Sequence, residues 1–219
     1  MRAARASAIL DGGDARLSGG AAGASRGAAG GAAGVSAGAA VPAGDPVLAG
    51  AVRIAEAIGL LLVTWQRAPL QALARLHVLA AAGLVADDGA LGRPRPEPGV
   101  SPRLQLLADT VTGTSDVPGV VLAAVVHGEL LALAPFGSAD GVVARAAARL
   151  TAIATGLDAK GLAVPEVGHL RRAAEYRRAA AGFATGSPDA VAEWLVHCCD
   201  AWVAGAREAH SIAEATAAS

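Results

Sequence analysis

Residues 127–150 read HGELLALAPFGSADGVVARAAARL. Two apolar, helix-periodic segments are broken at Pro135, because proline lacks the amide that an interior helical turn needs. Phe136-Gly137-Ser138-Ala139-Asp140-Gly141 forms the joint, and Val142 is expected to open the second helix. The first amides of a helix have no intrahelical acceptor, and the helix dipole adds positive potential there, so a phosphate group suits this position. Arg145, in the first turns after the joint, is the cation best placed to meet it.

Outward from the joint, composition sets the fold class. Hydrophobic residues make up 53% of the 219-residue chain and aromatics only 3%, so Ala, Leu and Val build the core. Alanine is the strongest helix former, and the expectation is an all-α domain with closely packed helices. Mean hydropathy is +0.45, yet Ile58 to Trp65 is far shorter than the ~20 apolar residues of a span and follows Arg53 and Glu56. Met1-Arg2-Ala3-Ala4-Arg5 lacks the apolar core of a secretory signal, so no membrane association and a cytoplasmic location are expected. A net charge of −1 gives no basic face for wrapping nucleic acid. Cys198 and Cys199 are helix neighbours about 100° apart, which suits small core residues and not a bridge or metal site.

Asp45-Pro46 is an N-cap followed by proline at the first helical position, and the apolar spacing predicts a helix to about Thr64. Pro69 opens PLQALARLHVLAAAGLV, in which His77 stands beside an apolar stripe and is read as a hydrogen-bonded structural residue. Residues 83–102 carry four prolines and form a loop, where Arg93 and Arg95 are read as solvated. A short helix over Arg103–Val111 precedes a turn with Asp116 as its candidate cap and a central helix that includes His127. The second helix of the joint runs to Thr155, with Arg149 solvated; HLRRAAEYRRAAAGF is one basic, solvated helix. Ser187-Pro188 caps a last helix, and the tail from Glu208 frays.

The joint resembles the signature HPFxxGNGRxxR of the Fic (Fido) family, whose members transfer AMP or a related group to a protein hydroxyl. Pro135, Phe136, Gly141 and Arg145 match, Arg145 as the second arginine, and Asp140 stands for asparagine. Ala134 replaces the histidine, Ala139 the first glycine and Val142 the first arginine. The resemblance spans roughly Asp45 to Trp202 and implies a Fic-like helical domain over 45–207, with a flap at the loop that could hold a protein target. It implies a nucleotide or phosphate site at Phe136, Gly137, Ser138, Ala139, Asp140, Gly141 and Arg145, with ATP or another nucleotide as ligand and no metal. In the family the histidine acts as general base, a role worth about 10²–10⁴ in rate, and a methyl group cannot take a proton. No catalytic residue is therefore assigned.

The first seventeen residues, MRAARASAILDGGDARL, read on their own as a short Ala-rich helix ending at Gly12-Gly13. Ser7 to Gly12 is also similar to the inhibitory motif [S/T]xxxE[G/N] of Fic proteins, with Asp11 for glutamate; that resemblance implies that Ser7, Asp11 and Gly12 lie over the site and that Asp11 approaches Arg145. Residues 18–44, rich in Gly and Ala, read as a flexible linker.

The expected function is thus a nucleotide- or phosphate-binding, regulatory remnant of an adenylyltransferase fold. A nucleotidyl or phosphoryl transferase with a non-standard site is one alternative. Another is a helix-turn-helix DNA-binding regulator built on ARLHVLAAAGLV, against which the acidic Ala86-Asp87-Asp88-Gly89 counts. Oligomeric state is not legible.

Overall fold

Central helix α5 (Gly119–Leu133) is apolar nearly all round, interrupted by the buried His127 and the partly exposed Glu129. The computed structural model describes residues 1–13, 44–113 and 116–217. Among them the chain is all-helical, without strands: α1 Arg2–Leu10, α2 Pro46–Arg67, α3 Pro69–Ala81, α4 Val100–Thr112, α5, α6 Asp140–Ala154, α7 Pro165–Arg171, α8 Ala173–Phe183 and α9 Pro188–Ala217. The linker reading, apart from Gly44, falls on residues outside this set.

Local chemistry accounts for most boundaries. Asp45 Oδ1 accepts from the amides of Val47 (2.8 Å) and Leu48 (3.3 Å), and Pro46 supplies the preset φ of a first helical residue, so α2 starts as expected. It continues through Trp65, which is fully buried, to Arg67. Pro69 then starts α3, which lies across α2 so closely that a side chain on Gly50 would strike the backbone of Ala80. By length and composition α2 could cross a membrane, contrary to the sequence reading; it packs against α1, α3 and α6 through Leu48, Ala51, Ile54 and Trp65.

The main core gathers Trp65, Leu73, Leu76, Val126, Leu130, Val143 and Leu150 from α2, α3, α5 and α6. Each such side chain contributes roughly 1.5–3 kcal/mol on burial. A second cluster, with Tyr176, Phe183, Trp194 and Cys198, joins α8 and α9 to the other side of α5.

Several boundaries differ from expectation. Helix α4 begins at Val100, and α5 follows Pro118 without a side-chain cap, so Asp116 is not its cap. The basic segment is two helices, broken at Arg172 (φ −120°, ψ 43°). Gly168 packs on the backbone of Ala201, which brings α7 close against α9, and α8 packs on α9 as well. Instead of fraying at Glu208, α9 continues to Ala217, and Glu208 pairs with Arg171 at 2.9 Å and with Arg2 of α1. The loop 82–99 holds a single turn of 3-10 helix, Asp88–Ala90, and no hairpin.

Candidate functional site at the α5–α6 joint

Helix α6 begins at Asp140, two residues before the expected Val142, which is itself buried. Ala134 (φ 43°) and Ala139 (φ 53°) both adopt left-handed backbone, at a cost of roughly 1 kcal/mol or more each for a residue with a Cβ. Three anchors hold that geometry. Asp140 Oδ1 accepts from the Phe136 amide at 2.9 Å. Arg95 donates through Nε to the Ala134 carbonyl (2.9 Å) and through Nη2 to that of Leu133 (3.2 Å), closing the carbonyl end of α5. Arg95 is therefore a clamp and not a solvated loop residue. The third anchor is His77, whose ring stacks on Phe136 with centroids 4.2 Å apart.

His77 keeps the structural role expected of it, now at the joint. Its Nδ1 accepts from the Gly92 amide at 2.9 Å, so the ring proton sits on Nε2, 2.9 Å from Ser138 Oγ. Ser138 therefore receives a hydrogen bond and has no base to activate it. Burial lowers the pKa of His77 and favours this neutral form.

An open hollow of about 480 Å³ lies over the joint, lined by Asp11, Val47, Leu84 and residues Gly137, Ser138, Ala139, Asp140 and Gly141. Phe136 supplies position from below, with its ring in the core. Burial raises the pKa of Asp140, against the opposing pull of the Phe136 and Gly137 amides and of Arg95.

Arg145 does not line the hollow. It is 3% exposed, beneath α1. Its Nε donates to Ser7 Oγ (2.8 Å), Nη2 to the Ser7 carbonyl (2.9 Å) and to Asp11 Oδ1 (2.7 Å), and Nη1 to the Tyr176 hydroxyl (3.1 Å). Burial alone would lower its pKa; the Tyr176 oxygen and the Asp11 carboxylate outweigh that and raise it. The structure thus brings Ser7, Asp11 and Arg145 together. Gly12 (φ 84°) ends α1, and the Asp11 carboxylate lies against the Cα of Gly141 so closely that any side chain there would collide with it. Helix α1 reaches this position on a face of small residues, Ala3, Ala4, Ser7 and Ala8.

Behind Arg145 lies a buried cluster that sequence reasoning missed. His127 Nε2 is 3.0 Å from the Tyr176 hydroxyl, and His169 Nδ1 is 3.1 Å from His197 Nε2. Since Arg145 donates to the phenol oxygen, the phenol hydrogen is left for His127. Burial first, then the nearby cationic groups, hold His127 and His169 well below the ordinary histidine value. Among the described residues no group of three His, Cys, Asp or Glu side chains could hold a metal. These histidines come from α5, α7 and α9, and no local pattern marks them as neighbours.

Arg149 also departs from the sequence reading. It is largely buried, donating to the Gly161 carbonyl at 3.0 Å and standing 3.8 Å from Glu166. No family model, curated protein or solved structure matches the chain.

Proposed function

We propose that the chain is a nucleotide- or phosphate-binding pseudoenzyme of Fic-like descent, whose site at the α5–α6 joint is covered by its own N-terminal helix. What carries the reading is Arg145. It is a buried arginine one turn into a helix whose first residues line a hollow, and its carboxylate partner comes from a segment more than a hundred residues away. A buried guanidinium needs an anionic or strongly polar partner. Asp11 supplies that partner in the closed state, and the phosphate of a nucleotide supplies it when α1 leaves. Arginine suits phosphate through its planar set of donors.

Transfer chemistry lacks its base. Ala134 has nothing to accept a proton, His77 holds its proton toward Ser138, and His127 is enclosed behind Arg145. Val142, in the core, offers no charge to a transferring phosphoryl group. Asp11 and Asp140 also make the closed hollow unfavourable for anions, so binding requires the release of α1.

Incubation of the full chain and of an Asp11→Ala variant with labelled ATP tests this. Retention of label by the variant on a filter, with none made covalent on the chain or on added proteins, is the expected result. Covalent labelling would show a working transferase, and no retention by either form would remove the nucleotide site.

A further inference from the structure

Helix α9 runs well past the body of the domain. Its last buried residue is Gly205, and twelve more residues to Ala217 add roughly 18 Å. One face of this extension is taken, since Glu208 pairs with Arg171 and Arg2. The opposite face forms one wall of an open, mainly apolar groove of about 620 Å³; Leu157, Leu162 and Val120 form the other. Leu162 is 64% exposed and Val203 50%, a large apolar surface for a chain to leave in water. Along α9 the groove residues Trp202, Val203, Ala206, Ala209, His210 and Ala213 recur at helical contact spacing, the pattern that receives another helix.

We infer that the occupant is α9 of a second copy, lying antiparallel about a two-fold axis. Charge and size both select that arrangement. With the axis between Ala204 and Gly205, Val203 meets the partner's Ala206 and Trp202 meets the partner's Ala209, large against small on both sides of the axis. In the same register Arg207 of each copy lies beside the partner's Asp200, an exposed carboxylate that accepts from Arg172 of its own copy at 3.1 Å and takes the second arginine at the rim of the seam. A shift of one heptad brings Asp200 beside the partner's Glu214 and the two Arg207 side chains together, which disfavours it. Because an isologous contact uses the same patch twice, each extension covers the other copy's Leu157–Leu162 wall. Asp158, also in the groove, does not oppose this, since its carboxylate accepts from the amides of Leu162 and Ala163.

Sedimentation of the full chain tests the inference. A dimer with a dissociation constant in the micromolar range, about 1–10 μM, is expected. Val203→Glu should give a monomer with an unchanged helical spectrum. Arg207→Glu should weaken the dimer about tenfold, and adding Asp200→Asn, which removes the carboxylate it would meet without setting a cation beside Arg172, should recover most of that loss. A chain that stays monomeric at about 100 μM overturns the inference, as does a dimer indifferent to Val203→Glu. A monomer whose groove is nonetheless protected from hydrogen exchange assigns the groove to another segment of this chain and overturns it equally. Failure of the double charge change to restore association rejects this register.

Discussion

Asp11 Oδ1 lies 2.7 Å from Arg145 Nη2, across 134 positions of the chain, with the arginine almost wholly buried and the aspartate at the edge of the hollow. This pair joins the N-terminal helix to the α5–α6 joint. A carboxylate at that point satisfies a guanidinium that water cannot reach. Its loss should therefore loosen the docking of α1 and, on the proposed function, open Arg145 to a phosphate.

Gly141→Ala separates these effects by sign. Alanine in place of a helical glycine stabilises α6 by up to about 1 kcal/mol. The added methyl group also collides with the Asp11 carboxylate. The full-length variant should show α1 amides exchanging faster with solvent while the α6 amides exchange no faster. In an Asp11→Ala background the same change should be neutral or stabilising in chemical denaturation, and a double-mutant cycle reads the coupling.

Arg145→Lys should destabilise the chain by about 2–4 kcal/mol, since one ammonium cannot reach Ser7, Asp11 and Tyr176 together. Urea titration followed by far-UV circular dichroism measures it. A loss below about 0.5 kcal/mol would mean that the guanidinium's contacts are replaceable.

Ala134→Gly should stabilise the joint by about 0.5–1 kcal/mol, because the left-handed conformation at φ 43° costs a residue with a Cβ more than it costs glycine. The larger unfolded-state entropy of glycine sets the upper end of that range. A thermal melt gives the answer.

The buried histidines predict a specific pH dependence. His127 and His169 have folded pKa values well below the ordinary 6.5, so below pH 6.5 the unfolded chain takes up protons that the folded chain refuses. Stability is complete above that value and falls with pH toward the folded values, at about 1.4 kcal/mol per pH unit per histidine. His197 acts in the same direction. Asp140 has a raised pKa and the opposite sign: its contribution is present below its unfolded value and is lost as pH rises through the folded one. Denaturation midpoints from pH 7.5 to 5.5, measured also in Asp140→Asn, should fall with acid, and His169→Asn should reduce the slope.

Legibility followed the range of the interactions. Asp45-Pro46 announces α2 because cap and helix are adjacent, and Pro135 announces the end of α5 for the same reason. The all-helical class followed from alanine content and periodicity. The break at Arg172 has no glycine or proline beside it to mark it, and both of the helices it separates are held by contacts with the distant α9. Arg95 and Arg149 read as solvated because the acceptors that fix them, the carbonyls of Ala134, Leu133 and Gly161, are remote in sequence; the one neighbour that accepts from Arg95 is the exposed Glu97. Arg145 was assigned to the anion site itself, whereas with α1 docked its donors are spent on Ser7, Asp11 and Tyr176. The His77–Phe136 stack and the His127–Tyr176 pair are long-range in the same sense.

Calorimetric titration of ATP into the wild-type chain, Asp11→Ala and Asp11→Ala/Arg145→Met shows whether Asp11 and a nucleotide compete for Arg145. Loss of Asp11 should tighten binding at least about tenfold, equivalent to about 1.4 kcal/mol, and the gain should vanish when Arg145 is also removed. Equal affinity in the wild type and Asp11→Ala, or a gain that persists without Arg145, would contradict that competition.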